Sequence, residues 1–423
     1  MLQEVGLGQR SLADYTHLVG RGLVDEIREL AEPLQGLRVL HVSATAFGGG
    51  VSELLYTVVP LMRDAGLDAH WNVILGREEF FNVTKMMHNS LQGDETTLTE
   101  QQWEVFHAYS TMNARGLEGD WDVILIHDPQ PLGLRRNAPD RARRWMWRCH
   151  IDLSSPNPAT LGRILPLIEE YDASVWHMDQ YVPPGIDRGV RIMPPAIDPL
   201  SPKNMALSPE DAAFVCEQFG IDPDRPLLTQ VSRFDPWKDP IGVIDAYKMV
   251  TEEIPEAQLA LVGSMATDDP EGWEFFHKTY RYADGDPDIK ILNNLNNVGA
   301  IEVNAFQSQS DVVIQKSIRE GFGLTVTEAL WKARPAVASN VGGIPLQIEN
   351  GSGGYLVSSP EETARRCVEV LSDPELAKRL GRAGKERVRA NFLTPRLLRD
   401  WLQLLGAEAQ EAPARAAGAL EER

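Results

Sequence analysis

The sequence predicts an α/β protein built from two doubly wound domains, each a parallel sheet flanked by helices. Three observations predict it. Short β-branched runs alternate with helix-period segments along nearly the whole chain, the pattern of strand-helix-strand crossovers. The 423 residues suffice for more than one domain of ordinary size. Between the two series of strands lies MPPAIDPLSPKNMALSP, residues Met193 to Pro209, whose five prolines in seventeen residues read as a linker.

In the first half, strands are predicted at Arg38 to Ser43, Ala69 to Leu75, Asp122 to His127, Trp145 to His150, Ser174 to His177 and Val190 to Met193. In the second they are predicted at Leu227 to Ser232, Gln258 to Val262, Ile289 to Leu292, Val312 to Gln315, Ala336 to Ser339 and Tyr355 to Val357. The expected domains are 1–200, with an N-terminal extension over 1–36, and 201–395, followed by a C-terminal helix and tail over 396–423. From about Ala407 the tail is Ala- and Glu-rich without a core-facing stripe, and is expected to lack fixed structure.

Composition bounds the function. Lys+Arg 41 against Asp+Glu 61 gives 41 − 61 = −20, a field that argues against nucleic-acid binding through a broad basic face. No stretch reaches the ~18 apolar residues of a membrane span, so no membrane is expected. Cys149, Cys216 and Cys367 lie far apart and read as packing residues of a reducing compartment. The N-terminus lacks a basic start followed by an apolar signal core, so the expected location is cytoplasmic.

Ligands of open parallel sheets collect at the carboxyl ends of strands, so two such domains facing each other would line a cleft. The motifs sit at those ends. Phe47-Gly48-Gly49-Gly50 follows the first strand; glycines allow a phosphate or sugar to approach the backbone, although a plain tight turn would look the same. In Ser232-Arg233-Phe234-Asp235-Pro236-Trp237-Lys238-Asp239, Arg233 and Lys238 are cations at a helix start, suited to gripping a diphosphate. The alternative is a solvated pair answering Asp235 and Asp239. Cations beside a helix start run against the dipole's preference for acids, which favours the ligand reading.

Ser317-Ile318-Arg319-Glu320-Gly321-Phe322-Gly323-Leu324-Thr325-Val326-Thr327-Glu328 is the most specific local pattern. Gly321 and Gly323 free the backbone, Leu324 and Thr325 offer N–H donors, and Glu320 and Glu328 are suited to sugar or ribose hydroxyls. An acid such as Glu328 is also favoured by a first helical turn. In the first half, His127-Asp128 and Arg148-Cys149-His150-Ile151-Asp152 end strands with polar residues, where a single histidine is more often structural than catalytic. No metal-ligand spacing and no Gly-x-Ser-x-Gly nucleophile elbow occurs.

Taken together, Gly48 to Gly50, His150, Arg233, Lys238, Glu320 and Glu328 resemble the retaining GT-B glycosyltransferases, which have two Rossmann-like domains facing a central cleft, and specifically their family 4. The blocks HDPQPL, RCHIDLSSPNP, IMPPAIDPLSPKN, SRFDPWKDP and SIREGFGLTVTEALWK are similar to those of the trehalose-forming synthases of that family, which join nucleotide-activated glucose to free glucose. The resemblance implies that Arg233 and Lys238 grip the phosphates with help from N–H groups of Gly323, Leu324 and Thr325 in the Gly321-Phe322-Gly323 turn. It implies that Glu328 holds the ribose, Glu320 the hydroxyls of the transferred glucose, and His150 the reacting sugar. Gly49 and Gly50 would lie against the phosphates, and Asp128 and Asp152 on the acceptor side. It implies ADP-, UDP- or GDP-glucose and glucose as partners, no metal or other cofactor, and a homodimer as one open assembly. A trehalose phosphorylase, a sucrose- or polysaccharide-forming transferase, and a non-catalytic sugar or nucleotide binder stand as alternatives.

Overall fold

A computed structural model describes residues 2–47, 49–265 and 270–421, with side chains given except at 270–271 and 408–421; Gly48 lies outside the described residues. The chain divides into two compact units, Met1–Pro195 with Thr394–Arg423, and Ala196–Leu393.

The first unit is a sheet of β1 (Gln3–Glu4), β2 (Arg38–Ser43), β3 (Asp68–Val73), β4 (Trp121–His127), β5 (Ala142–Arg148), β6 (Ala173–Trp176) and β7 (Val190–Ile192), ordered β1-β3-β2-β4-β5-β6-β7. All neighbours are parallel except β1, which runs antiparallel to β3. Strands β2 and β4 are buried along most of their length, on both faces, as expected of a parallel sheet covered by helices on each side. Trp145, Trp147 and Trp176 fill the core under β5 and β6.

The second unit contains β8 (Leu227–Val231), β9 (Gln258–Gly263), β10 (Ile289–Asn293), β11 (Val312–Gln315), β12 (Ala336–Ser339), β13 (Glu349–Asn350) and β14 (Gly353–Val357). The order is β10-β9-β8-β11-β12-β14-β13, parallel throughout. Two separate apolar clusters lie on its two faces, one including Val243, Ile244 and Cys367, the other Cys216 and Phe306.

Leaving aside the two-residue edge strands β1 and β13, the strand order of each unit reverses, between β2 and β4 in the first and between β8 and β11 in the second. Crossovers on either side of such a reversal leave the sheet in opposite directions and open a crevice at the strand carboxyl ends.

The structure differs from the sequence reading at the sheet edges, at the end of β5 and in the C-terminal segment. The two-residue edge strands β1 and β13 are too short to carry a period. The strand expected to run to His150 ends at Arg148, so His150 lies beyond it. The chain after Leu393 returns to the first unit instead of forming a separate tail, because Leu397, Leu398, Trp401 and Leu402 are buried there. That final helix runs Thr394–Glu421, so the stretch from Ala407, expected without fixed structure, is helical; alanine and glutamate favour this. The N-terminal extension also packs, burying Val24, Ile27 and Ala31 of the helix Arg21–Ala31 against the final helix. Among the described residues no helix is long and apolar enough to cross a membrane.

Candidate active site

The second unit's switch point brings together the loops after β8 and β11. Asp235 accepts from the Lys238 N–H at 3.1 Å and closes a short turn, Pro236–Lys238. Asp239 sits in the left-handed region at φ 45° and caps the helix Pro240–Glu253 through the Gly242 N–H at 3.0 Å. The Trp237 carbonyl accepts from Ile318 N–H at 2.7 Å, which ties the two loops together, and the Arg319 guanidinium lies 5.3 Å over the Trp237 ring.

Within this frame Lys238 Nζ lies 2.8 Å from Glu320 Oε2, both largely buried. The same carboxylate oxygen accepts from Ser317 Oγ at 3.1 Å and Gln315 Nε2 at 3.3 Å. Gln315 Oε1 accepts from Thr325 Oγ1 at 3.1 Å, and Gln307 Nε2 donates to the Thr325 carbonyl at 3.5 Å and to Glu328 Oε2 at 3.3 Å. One continuous chain of polar contacts therefore links Lys238, Glu320 and Glu328.

Arg233 is 66% exposed and paired with Asp235 at 2.9 Å, whose carboxyl is pushed up by burial against the pull of Arg233 and Lys238. Lys316 pairs with Asp239. Gly321 and Phe322 hold the turn from behind: the Gly321 carbonyl accepts from Gly343 N–H at 3.1 Å, and Phe322 is buried beside Phe392. Gly323 is in the left-handed region at φ 81°, and no side chain caps the helix Leu324–Trp331 that it starts, so the N–H groups of Leu324 and Thr325 begin an uncapped helix.

Glu328 is not open on the surface. It is 2% exposed, held by Gln307 and, at 3.6 Å, by Lys203 from the linker region. Nearby Lys332 donates to Asn204 Oδ1 at 3.1 Å; burial lowers its pKa to about 8, opposed by Glu328 and assisted by Lys203.

At the first unit's switch point, Gly49 (φ 94°) starts the helix Gly50–Asp64, again without a side-chain cap. Across from it, Asp128 adopts φ 64° and accepts the His150 N–H at 2.7 Å, and burial raises its pKa to about 7 despite that bond and Arg148. His150 is half-buried, and His127 Nδ1 lies 2.9 Å from its Nε2. Asp152 is nearly buried and accepts the Ser154 N–H at 2.8 Å, closing a turn. Arg148 is fully buried against Met193 and Trp401, and burial lowers its pKa to about 9, with Arg396 adding to the effect.

Sequence reasoning missed Gln315, Ser317, Gln307, Lys203 and Arg148. Gln315 and Ser317 sit at and just beyond the end of β11, where a polar side chain closing an apolar run is a readable signal; Lys203 and Gln307 leave none, because only the fold brings them to Glu328. Among the described residues, no group of three His, Cys, Asp or Glu side chains is arranged to hold a metal ion.

Two doubly wound units in one chain are the architecture of the GT-B glycosyltransferases, and comparison with known proteins places the chain in that class. The family model for glycosyl transferases group 1 matches residues 213–387, and that for the trehalose synthase N-terminal domain matches residues 41–183. The chain is 58% identical over 410 residues to trehalose synthase of Rubrobacter xylanophilus, covering 96% of this chain and 98% of that one. It is 47% identical to trehalose synthase of Pyrococcus horikoshii, again over 96% and 98% of the two chains. The crystal structure of Anabaena Alr3699/HepE in complex with UDP and glucose shares the fold, with a TM-score of 0.67, 16% identity, and coverage of 87% of this chain and 99% of that one. The chain belongs to the trehalose synthase family.

Proposed function

We propose that the protein transfers glucose, with retention, from a nucleotide diphosphate glucose to free glucose, forming α,α-trehalose. The observation that carries this reading is the Lys238–Glu320 pair at the second switch point, fixed by Gln315 and Ser317 beside an uncapped helix start.

A diphosphate leaves when its growing charge is stabilised. Lys238, the exposed Arg233 and the N–H groups at Gly323, Leu324 and Thr325 supply that stabilisation, and a preorganised donor of this kind is worth about 2.7–4 kcal/mol of barrier. No metal is required in this scheme, because cations and backbone donors take the charge. Glu320 accepts hydrogen bonds from hydroxyls of the transferred glucose, with Ser317 and Gln315 fixing its Oε2. Glu328 holds the ribose hydroxyls, sharing its carboxylate with Lys203. In the first unit, Gly49 and Gly50 approach the phosphates, His150 contacts the reacting sugar, and Asp128 and Asp152 serve the acceptor.

Retention follows from front-face attack, in which the departing phosphate oxygen takes the proton of the acceptor hydroxyl. The C–O bond to phosphate breaks as the new glycosidic bond forms on the same face, and no carboxylate is needed as a covalent nucleophile.

The test is a donor panel. Protein incubated with ADP-, UDP- or GDP-glucose and free glucose should yield a non-reducing disaccharide with both anomeric centres α. Product from glucose 1-phosphate alone, with no nucleotide donor used, would make the protein a phosphorylase and sink the proposal.

A further inference from the structure

Four histidines, His41, His127, His150 and His177, line adjacent strands of the first sheet, on β2, at the end of β4, just past β5 and just past β6. Three of them are wired in series. His41 Nδ1 is 3.0 Å from His127 Nε2, and His127 Nδ1 is 2.9 Å from His150 Nε2, with the ring planes of each pair within 19° and 24° of each other and the centroids 5.3 and 5.2 Å apart. At the inner end, His41 Nε2 meets Met62 Sδ at 3.5 Å.

The sulfur decides the direction of the series. A thioether has lone pairs and no proton, so in this contact His41 Nε2 carries the hydrogen. A neutral imidazole has a single N–H, which leaves His41 Nδ1 as an acceptor. His127 must then donate from Nε2 and accept at Nδ1, and His150 must donate from Nε2. His150 Nδ1 is left as a bare lone pair. It has no hydrogen-bond partner among the described residues and is not among their buried unpartnered atoms.

The surroundings keep the rings neutral. Burial lowers the pKa of His41 to about 3 and those of His127 and His150 well below the usual value, with the Arg148 cation adding to each. The other charged or titratable groups influencing this cluster are Asp128, Cys149 and His177, with Arg396 and Asp400 of the final helix acting on Arg148.

We propose that Met62, His41 and His127 are positioning residues that lock His150 as its Nε2–H tautomer, so that His150 Nδ1 accepts a hydrogen bond from a hydroxyl of the bound sugar. The sugar contact rests on the function proposed above; the tautomer does not. Met62 lies on the helix Gly50–Asp64, whose first turn is the Gly49-Gly50 segment, so the same helix sets both the glycine turn and the histidine series.

Long-range proton–nitrogen spectra of the full-length protein, isotope-labelled at histidine and assigned with single His→Gln variants, test both parts. The Nε2–H pattern is expected at His41, His127 and His150 without ligand; an Nδ1–H pattern at His150 overturns the series. Adding glucose with nucleotide should shift the His150 Nδ1 signal. A signal that does not move, with the tautomer as stated, overturns the sugar contact alone. Met62→Leu keeps the packing volume and removes the acceptor. It should mix the tautomers along the series and lower kcat/KM about threefold to tenfold, the worth of one neutral hydrogen bond. An unmixed spectrum in that variant overturns the role of Met62.

Discussion

The two switch points share a topology and differ in electrostatics. At the second, every strand-end acid named above meets a cation: Glu320 with Lys238, Asp235 with Arg233, Asp239 with Lys316 and Glu328 with Lys203. At the first, neutral rings stand in series, and the buried Arg148 makes no ion pair among the described residues, bonding instead to the Met193 sulfur and carbonyl. Charged groups that are held in place can follow a growing charge on a leaving group. Neutral groups with fixed tautomers discriminate uncharged hydroxyls, whose donors and acceptors must each find a match. In the proposed reaction the charged groups that answer the leaving group, Lys238 and Arg233, lie in the second unit, and the neutral histidine series lies in the first.

The largest expected effect breaks the charged half. Lys238→Ala should lower kcat about 10²–10³-fold, as for loss of one preorganised donor to a developing anion. Arg233→Ala should cost less, because Arg233 is 66% exposed and already answered by Asp235, so solvent screens it. Steady-state kinetics with the preferred donor check both. Equal losses in the two variants would mean that burial does not distinguish the cations, and an unchanged rate for Lys238→Ala would remove the contrast.

Next in size is a pH effect confined to the neutral half. Asp128 has its folded pKa raised from 3.8 to about 7 by burial, so between those values the folded state keeps a proton that the unfolded chain has lost. Its contribution to stability therefore falls as pH rises from about 4 to about 7 and is flat above. At about 1.4 kcal/mol per pH unit this amounts to up to about 4 kcal/mol. His41 slopes the other way: its folded pKa is lowered to about 3, so stability is lost as pH falls from 6.5 toward 3. In the wild type the two partly cancel. Asp128→Asn retains an oxygen for the His150 N–H and removes the carboxyl, so its stability should rise more steeply with pH across this window. Urea unfolding at pH 4, 5.5 and 7 measures it; parallel curves for the two proteins would show that Asp128 does not titrate between them.

The charged half was far more legible in sequence than the neutral one, for a physical reason. Arg233, Lys238 and Glu320 follow directly on strand ends, where charged residues stand out against the apolar runs before them, so sequence picks them out as candidates. The alternation of short apolar runs with helical periods located twelve strands within a few residues, and the proline-rich stretch at 193–209 contains the unit boundary at Pro195. The histidine series was invisible because His41 sits inside a six-residue apolar strand and reads as core, while His127 and His150 each look structural alone. Their meaning comes from the pairing of β2, β4 and β5. The return of the final helix was hidden likewise, since Trp401 becomes informative only once it lies over Arg148.

The smallest expected effect sharpens the comparison at the glycines. Gly49 and Gly323 each precede a helix at a switch point with positive φ, 94° with ψ 167° and 81° with ψ 57°, backbone that costs an L-residue about 1–3 kcal/mol in the first region and about 1–2 kcal/mol in the second. The space around them differs. A Cβ at Gly49 would meet nothing within 4 Å, whereas one at Gly323 would come within 3.2 Å of Glu320 Cγ and 3.3 Å of Ile344 Cγ1. Alanine at either position should lower Tm by about 2–8 °C through backbone strain alone. Gly323→Ala should exceed the loss expected from its left-handed backbone alone, about 1–2 kcal/mol, because the Glu320 side chain must also move by a few tenths of an ångström. Calorimetry decides it: a Gly323→Ala loss within about 1–2 kcal/mol would mean that Glu320 yields freely and that its place is set by Lys238, Ser317 and Gln315 without help from the turn.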